Sequence, residues 1–192
     1  MHARVAPLVT PARAPIAQLL RDLRALGDLR RRAAIVDARL DGWRAPLERI
    51  LGYLPLPRVG YARTLLHRCD GFELLLLTWA AGSASPIHDH AAQDCWFVPL
   101  AGRFELDDYA ILDERDGAAE LLPLRRRRIG AGELDHRDEH EAVHAVTPVT
   151  PHALSLHLYA RPIDACRIFD RRRRRWSWRR LGYDAFAPQL GE

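Results

Sequence analysis

Beyond Tyr61 the chain consists of short runs of β-branched, aromatic and leucine residues, broken at near-regular intervals by Gly, Pro and Asp. Runs of strand length separated by turn residues make a sandwich, a jelly roll or a barrel. The candidate strands are Tyr61–His67, Phe72–Thr78, Ser85–His90, Cys95–Ala101, Gly102–Tyr109, Ala118–Arg125, His144–Val146 and Leu154–Tyr159. No period of repeat-protein length interrupts them. The longest apolar run, around Leu74 to Leu77, is strand-sized and far too short to span a membrane.

The segment before Tyr61 follows a different period. Leu19, Leu20, Leu23 and Leu26 recur at helical spacing. Ala34, Ile35, Leu40, Trp43, Leu47, Ile50 and Leu51 form a second apolar series. This predicts helix between Pro15 and Leu54, with breaks at Gly27 and Gly42 and a stop at Pro55 and Pro57. At 192 residues and 48% hydrophobic, the chain has material for one domain with a real core. The expected fold class is mainly β: an N-terminal helical layer over about 12–55 packs on a barrel over about 60–170. Residues 171–192, basic and then aromatic, are expected as a C-terminal tail.

Composition excludes some chemistry. All 29 basic residues are arginine, so no lysine is available for a Schiff base, a general base or a phosphate loop. Against 25 acids the surplus is only +4. The runs Arg125–Arg128 and Arg171–Arg175 read as solvated charge, and no nucleic-acid partner is expected. Cys69, Cys95 and Cys166 are odd in number and make no closed disulfide framework. With no secretory signal visible, the expectation is a cytoplasmic protein without a membrane partner, monomeric or weakly oligomeric.

The chemistry concentrates in Gly82-Ser-Ala-Ser-Pro-Ile-His88-Asp-His90. Histidines at i and i+2 on a strand share a face, which in a small barrel can be the interior. Paired imidazoles there suit a first-row transition metal. A bare His-x-His equally suits an exposed turn. A third ligand must come from His136, His140, His144, His152 or His157. His144 is preferred because it opens an apolar strand, whereas His140 falls in the acidic turn Asp135–Glu141 and is expected in solvent. The spacing Gly82, His88, His90, Cys95, Gly102 is that of the first cupin motif, with cysteine where many cupins carry a glutamate ligand. Further on, Ser155, His157 and Tyr159 alternate with Leu156 and Leu158, so the three polar groups share one strand face.

From Tyr61 to about Asp170 the sequence resembles the cysteine dioxygenase type I family. The carriers are Tyr61-Ala-Arg63, Trp79, Pro86-Ile-His88-Asp-His90, Cys95-Trp96, His144, Ser155-Leu-His157-Leu-Tyr159 and Asp164-Ala-Cys166. The resemblance implies a cupin jelly roll in which His88, His90 and His144 hold a ferrous iron. It implies that Ser155, His157 and Tyr159 form a hydrogen-bonded series, with His157 orienting the Tyr159 hydroxyl. Cys95 and Tyr159 match a pair that some members join by a thioether. Arg63 matches a clamp for the substrate carboxylate, and Tyr61 either steers that guanidinium or meets the substrate. The implied activity is oxidation of a small thiol carboxylate, first of all L-cysteine, to its sulfinic acid with dioxygen.

The sequence departs from the pattern after Tyr159. Ala160-Arg161-Pro162 stands where cysteine-specific members show Ser-Pro-Pro. This brings Arg161 into question as a second substrate-binding arginine, which would favour a dicarboxylate such as mercaptosuccinate. Relatives that act on 3-mercaptopropionate typically carry glutamine at the arginine position, and this chain keeps Arg63. A cupin metalloenzyme of another class and a non-catalytic sensor are the remaining alternatives.

Overall fold

The computed structural model describes residues 10–41, 54–138 and 143–186. Helix α1 (Thr10–Leu26) starts ahead of Pro15 and takes Pro11 into its first turn, where a missing N–H costs nothing. It stops before Gly27, whose φ of +70° is open to glycine without strain. A 3-10 turn (Arg30–Arg32) leads into α2 (Ala33–Asp41). The expected break at Gly42 and the apolar positions Trp43, Leu47, Ile50 and Leu51 lie outside the described residues. No described helix is long and apolar enough to cross a membrane.

The strands are β1 (Tyr61–Cys69), β2 (Phe72–Trp79), β3 (Ile87–His88), β4 (Cys95–Ala101), β5 (Arg103–Arg115), β6 (Ala118–Gly130), β7 (Asp135–Arg137), β8 (Val143–Pro148), β9 (Ala153–Tyr159), β10 (Ala165–Asp170), β11 (Arg175–Arg180) and β12 (Ala185–Phe186). One sheet runs β12-β1-β2-β9-β4-β7. The other closes on itself in the order β10-β11-β6-β5-β8-β3. The two share one interior, to which the first sheet gives Leu75, Trp79 and Phe97 and the second Phe104, Leu106 and Val146. This is the expected mainly-β double-sheet barrel.

Strands β2, β4 and β9 are buried along nearly their whole length because both faces are covered. Leu74, Leu76, Leu154, Leu156 and Leu158 point outward and pack against Ile16, Leu19, Leu20 and Leu23 of α1 and Val36 and Leu40 of α2. Burying each such leucine contributes about 2 kcal/mol. Trp96 fixes the layer in place by donating its indole N–H to Asp37 Oδ1 at 2.7 Å. The alternate residues of the same strands face the barrel interior and carry the polar groups of the site.

Three expectations need correction. Residues 171–186 are not a tail: β11 pairs with β10 through the full register Ala165↔Arg180 to Asp170↔Arg175, and β12 pairs parallel with β1. The run of arginines conceals an alternating strand, Trp176-Ser-Trp178-Arg. The strand expected over Ser85–His90 is paired only at Ile87 and His88, so His90 lies beyond its end. The β5–β6 hairpin is far longer than the expected pair, running to an Asp116-Gly117 turn in which both residues have positive φ (51° and 76°). That is the two-residue hairpin turn whose twist matches the strands. The Arg125–Arg128 run sits within it as a cross-strand ladder. Arg125 meets Asp108 at 2.6 Å, Arg126 meets Asp107 at 2.5 Å and Arg128 meets Glu105 at 3.1 Å.

Gly102, which separates β4 from β5, has φ +77°, and a Cβ there would stand 2.5 Å from Thr150 Oγ1 and 3.1 Å from Ala153 Cα. Gly102→Ala is expected to lower stability by about 1–3 kcal/mol, read as a lower urea midpoint at unchanged m-value.

Candidate metal centre

His88 and His144 are direct cross-strand partners on β3 and β8. His90 joins them from the segment after β3. Their ring centroids stand 4.7 Å (His88–His144), 4.9 Å (His90–His144) and 5.3 Å (His88–His90) apart. One ring nitrogen of each lies within 4.8 Å of those of the other two. His88 turns its Nδ1 to the Pro86 carbonyl at 2.9 Å, which leaves Nε2 for the centre.

The segment between the two upstream ligands is held from outside. Asp89 accepts from the Arg167 backbone N–H at 2.9 Å and from Arg167 Nε at 2.7 Å. Ala91 and Ala92 then turn sharply, both with φ of 54°. Arg161 spans this turn: its backbone N–H donates to Gln93 Oε1 at 2.7 Å and its guanidinium to the Ala92 carbonyl at 3.3 Å.

Burial, which penalises the charged imidazolium, is the largest cause of a lowered pKa at His88, His90 and His144. At His90 and His144 the neighbouring His88 pushes the same way, and Arg137 adds to the effect at all three. Neutral imidazole is the form that binds a metal. Both ring nitrogens of His144 are buried without a hydrogen-bond partner. An orphaned buried polar atom costs about 1–3 kcal/mol, which a coordinated ion would remove for one of the two nitrogens. Three neutral nitrogens on one wall of a cavity therefore fit a divalent transition metal.

The remaining lining follows the strand alternation. Trp79 Nε1 donates to Ser155 Oγ at 2.8 Å, and Ser155 Oγ meets His157 Nε2 at 2.8 Å. Burial, helped by Arg63, holds His157 neutral, with a pKa lowered to about 3. His157 therefore reaches Ser155 and Trp79 by hydrogen bonds, and meets Tyr159 as a ring neighbour 6.4 Å away between centroids. Cys95 and Tyr159 are register partners on β4 and β9 and share a side-chain hydrogen bond. Burial raises both their pKa values; Cys95 adds to the rise at Tyr159, whereas the hydrogen bond with Tyr159 opposes it at Cys95. Both therefore stay protonated.

Arg63 is 7% exposed and lines the same cavity. Its Nη1 donates to the Gly182 carbonyl at 2.8 Å and its guanidinium lies over the Tyr183 ring at 5.5 Å. Its Nη2 stands 3.6 Å from Glu73 Oε1 and has no hydrogen-bond partner. Tyr61, two residues earlier on the same face, packs on Trp79 at 4.8 Å and also lines the cavity.

The structure thus gathers His88, His90, His144, Cys95, Ser155, His157, Tyr159, Arg63 and Tyr61 in one place. Arg161 is the exception: it is exposed, lies off the cavity and supports the Ala91–Ala92 turn. Of the other histidines, His136 stacks on Trp96 at 4.5 Å and bonds Asp94, while His140 lies outside the described residues. Sequence reasoning missed Arg137 and Arg179, both of which line the cavity. Arg137 is 1% exposed, clamped between Asp135 (2.9 Å) and Asp108 (2.6 Å). Asp135, read from sequence as the start of an acidic turn, is itself 4% exposed on β7. Nothing local marks Arg137, because Asp108 comes from another hairpin. Arg179 lies on β11, the strand that the run of arginines conceals.

The family model described as Cysteine dioxygenase type I matches residues 9–172. The chain belongs to the cysteine dioxygenase type I family. Cysteine dioxygenase type 1 of Bos taurus and that of Homo sapiens are each 30% identical to it over 123 residues, 62% of this chain and 60% of theirs. The chain thus spans about 60% of the length of these curated relatives. Among solved structures, an RmlC-like cupin protein from Desulfovibrio desulfuricans aligns with 57% of this chain and 91% of its own, at 22% identity and a TM-score of 0.43. Within this cysteine dioxygenase type I member, the matched span contains every histidine of the centre and ends before Arg179.

Replacing His88, His90 or His144 by alanine is expected to abolish stoichiometric binding of Fe(II) or Co(II), measured anaerobically by calorimetry. His136→Ala and His152→Ala are expected to keep it. Full binding by His144→Ala would overturn the ligand assignment.

Proposed function

We propose that this protein is a non-haem iron thiol dioxygenase that adds both atoms of dioxygen to the sulfur of a small thiol carboxylate, giving its sulfinic acid. What carries this reading is the convergence of three neutral histidines and the unpartnered Nη2 of buried Arg63 on one cavity. A cationic clamp beside a metal-binding wall suits a substrate with a carboxylate at one end and a soft ligand at the other. L-cysteine, the first expectation from sequence, belongs to that class.

When bound, ferrous iron supplies open positions for thiolate and dioxygen and lowers the thiol pKa on coordination. The protein residues do the rest. Arg63, fixed from behind by Gly182 and Tyr183, presents a planar donor pair to the carboxylate and so sets the distance at which the sulfur reaches the histidines. The relay from Trp79 through Ser155 locks the orientation of the His157 ring. The Tyr159 phenol, kept protonated by burial, is a donor facing the cavity. The apolar lining, including Leu77, Phe97, Val146 and Ile163, lowers the local dielectric and so strengthens the contacts of the polar groups. We further propose that Cys95 Sγ and the Tyr159 ring become joined by a thioether. This step removes one hydrogen from each and has dioxygen as the electron acceptor.

Iron-loaded protein is expected to consume one dioxygen per sulfinate formed when given a small thiol carboxylate. Arg63→Ala should raise KM by about tenfold or more, the cost of losing a charge-assisted hydrogen bond to the carboxylate. Absence of oxygen uptake with L-cysteine, 3-mercaptopropionate and mercaptosuccinate alike would sink the reading. Intact mass after turnover should reveal a species lighter by two hydrogen atoms, absent from Cys95→Ser.

A further inference from the structure

The cavity carries more positive charge than a simple amino-acid thiol can use. Its lining includes two carboxylates, Asp89 and Asp135. Both are committed to other arginines: Asp89 to Arg167 at 2.7 Å, Asp135 to Arg137 at 2.9 Å and to Arg127. Arg137 is in turn neutralised by Asp108 at 2.6 Å. An ammonium group entering the cavity therefore meets no uncommitted anion among the lining side chains. Two guanidinium groups remain open to an incoming anion. One is Arg63, whose Nη2 is buried without a hydrogen bond; the Glu73 carboxylate 3.6 Å from it is shared with Arg68, which it meets at 3.0 Å. The other is Arg179, which has no ion pair or side-chain hydrogen bond among the described residues.

Arg179 sits on β11 directly opposite Cys166, a cavity residue of β10, and shares its face. Arg180, paired with Ala165, points to the other face. Three residues beyond Arg179, Gly182 gives its carbonyl to Arg63 Nη1 at 2.8 Å. Arg179 and the anchor of Arg63 are therefore separated by at most about 10 Å of backbone. Both arginines act electrostatically on Tyr61, which lines the same cavity.

We propose that Arg179 is a specificity-determining residue that binds a second carboxylate, so that the preferred substrate is a thiol dicarboxylate rather than a cysteine zwitterion. Arg63 takes one carboxylate and Arg179, at the exposed end of the cavity, takes the other. This replaces the expected Arg63–Arg161 pair with an arginine that lines the cavity, and it rests on the thiol dioxygenase reading only for what happens to the sulfur. The charge complementarity itself is independent of turnover.

The test is anaerobic calorimetry on the iron-loaded full chain, with mercaptosuccinate, 3-mercaptopropionate and L-cysteine as probes, for wild type, Arg179→Gln and Arg180→Gln. The wild type should bind mercaptosuccinate more tightly than the other two. Arg179→Gln should weaken mercaptosuccinate by about tenfold, the value of one charge-assisted contact, while leaving 3-mercaptopropionate nearly unchanged. Arg180→Gln removes the same charge from the opposite face and should change neither, which separates a contact from a general loss of positive charge. The proposal is overturned if Arg179→Gln weakens both thiols equally, if it weakens neither, or if wild type binds L-cysteine best. An oxygen electrode run on the same samples keeps the two readings apart. Arg179-dependent binding of mercaptosuccinate without oxygen uptake would reject the dioxygenase and leave the dicarboxylate site standing.

Discussion

The central strands β2, β9 and β4 are buried on both faces, and most of the site follows from that constraint. With helices covering the outside, outward positions must be leucine-like, and a strand permits only alternate residues to differ. Leu154, Leu156 and Leu158 satisfy the helices while Ser155, His157 and Tyr159 are delivered to the interior by the same backbone. A slip of one residue in register would expose the leucines to the cavity and drive the histidine into the helical layer. The packing energy of the helix–sheet interface therefore also fixes the orientation of the polar groups at the metal centre.

Electrostatics sets the second constraint. Burial makes the neutral form the favoured one for three imidazoles within 5.3 Å of one another, centroid to centroid. Arg137 reinforces this, since a buried cation behind the cluster opposes protonation of each ring. Arg137 itself persists because Asp135 and Asp108 enclose it with well-formed hydrogen bonds. Breaking such a buried pair on one side leaves an uncompensated charge, which costs about 3–5 kcal/mol. The aspartate clamp thus stabilises the arginine, and the arginine in turn holds the ligands in their metal-binding state.

What could be read from sequence depended on whether the signal was local. His88 and His90 stand out because two ligands two residues apart are written side by side. The Ser155–His157–Tyr159 face was legible from strict alternation with leucine. The helices were legible from the spacing of Leu19, Leu20 and Leu23. Arg161 misled because its neighbourhood in sequence, directly after Tyr159, says nothing about direction. Its guanidinium turns back to carry the strained Ala91–Ala92 corner. The strand at 175–180 was hidden because arginine is a poor marker of burial, and five in a row obscured the tryptophans alternating after them. Arg137 and Asp108 form a pair from distant elements, and such pairs leave no mark in a single sequence.

Gly182 and Asp184 fasten Arg63 from 119 and 121 residues further along the chain. During synthesis at about 5–20 residues per second, Arg63 precedes those anchors by roughly ten seconds. All three histidines have emerged by residue 144, well before that wall arrives. A nascent chain therefore possesses its cation ligands before it can fix the arginine that faces them. The order of events is written into the topology: the parallel pairing of β12 with β1 closes the longest loop of the fold, and long-range closure comes late. Among the described residues, the wall that anchors Arg63 is the part of the barrel synthesised last.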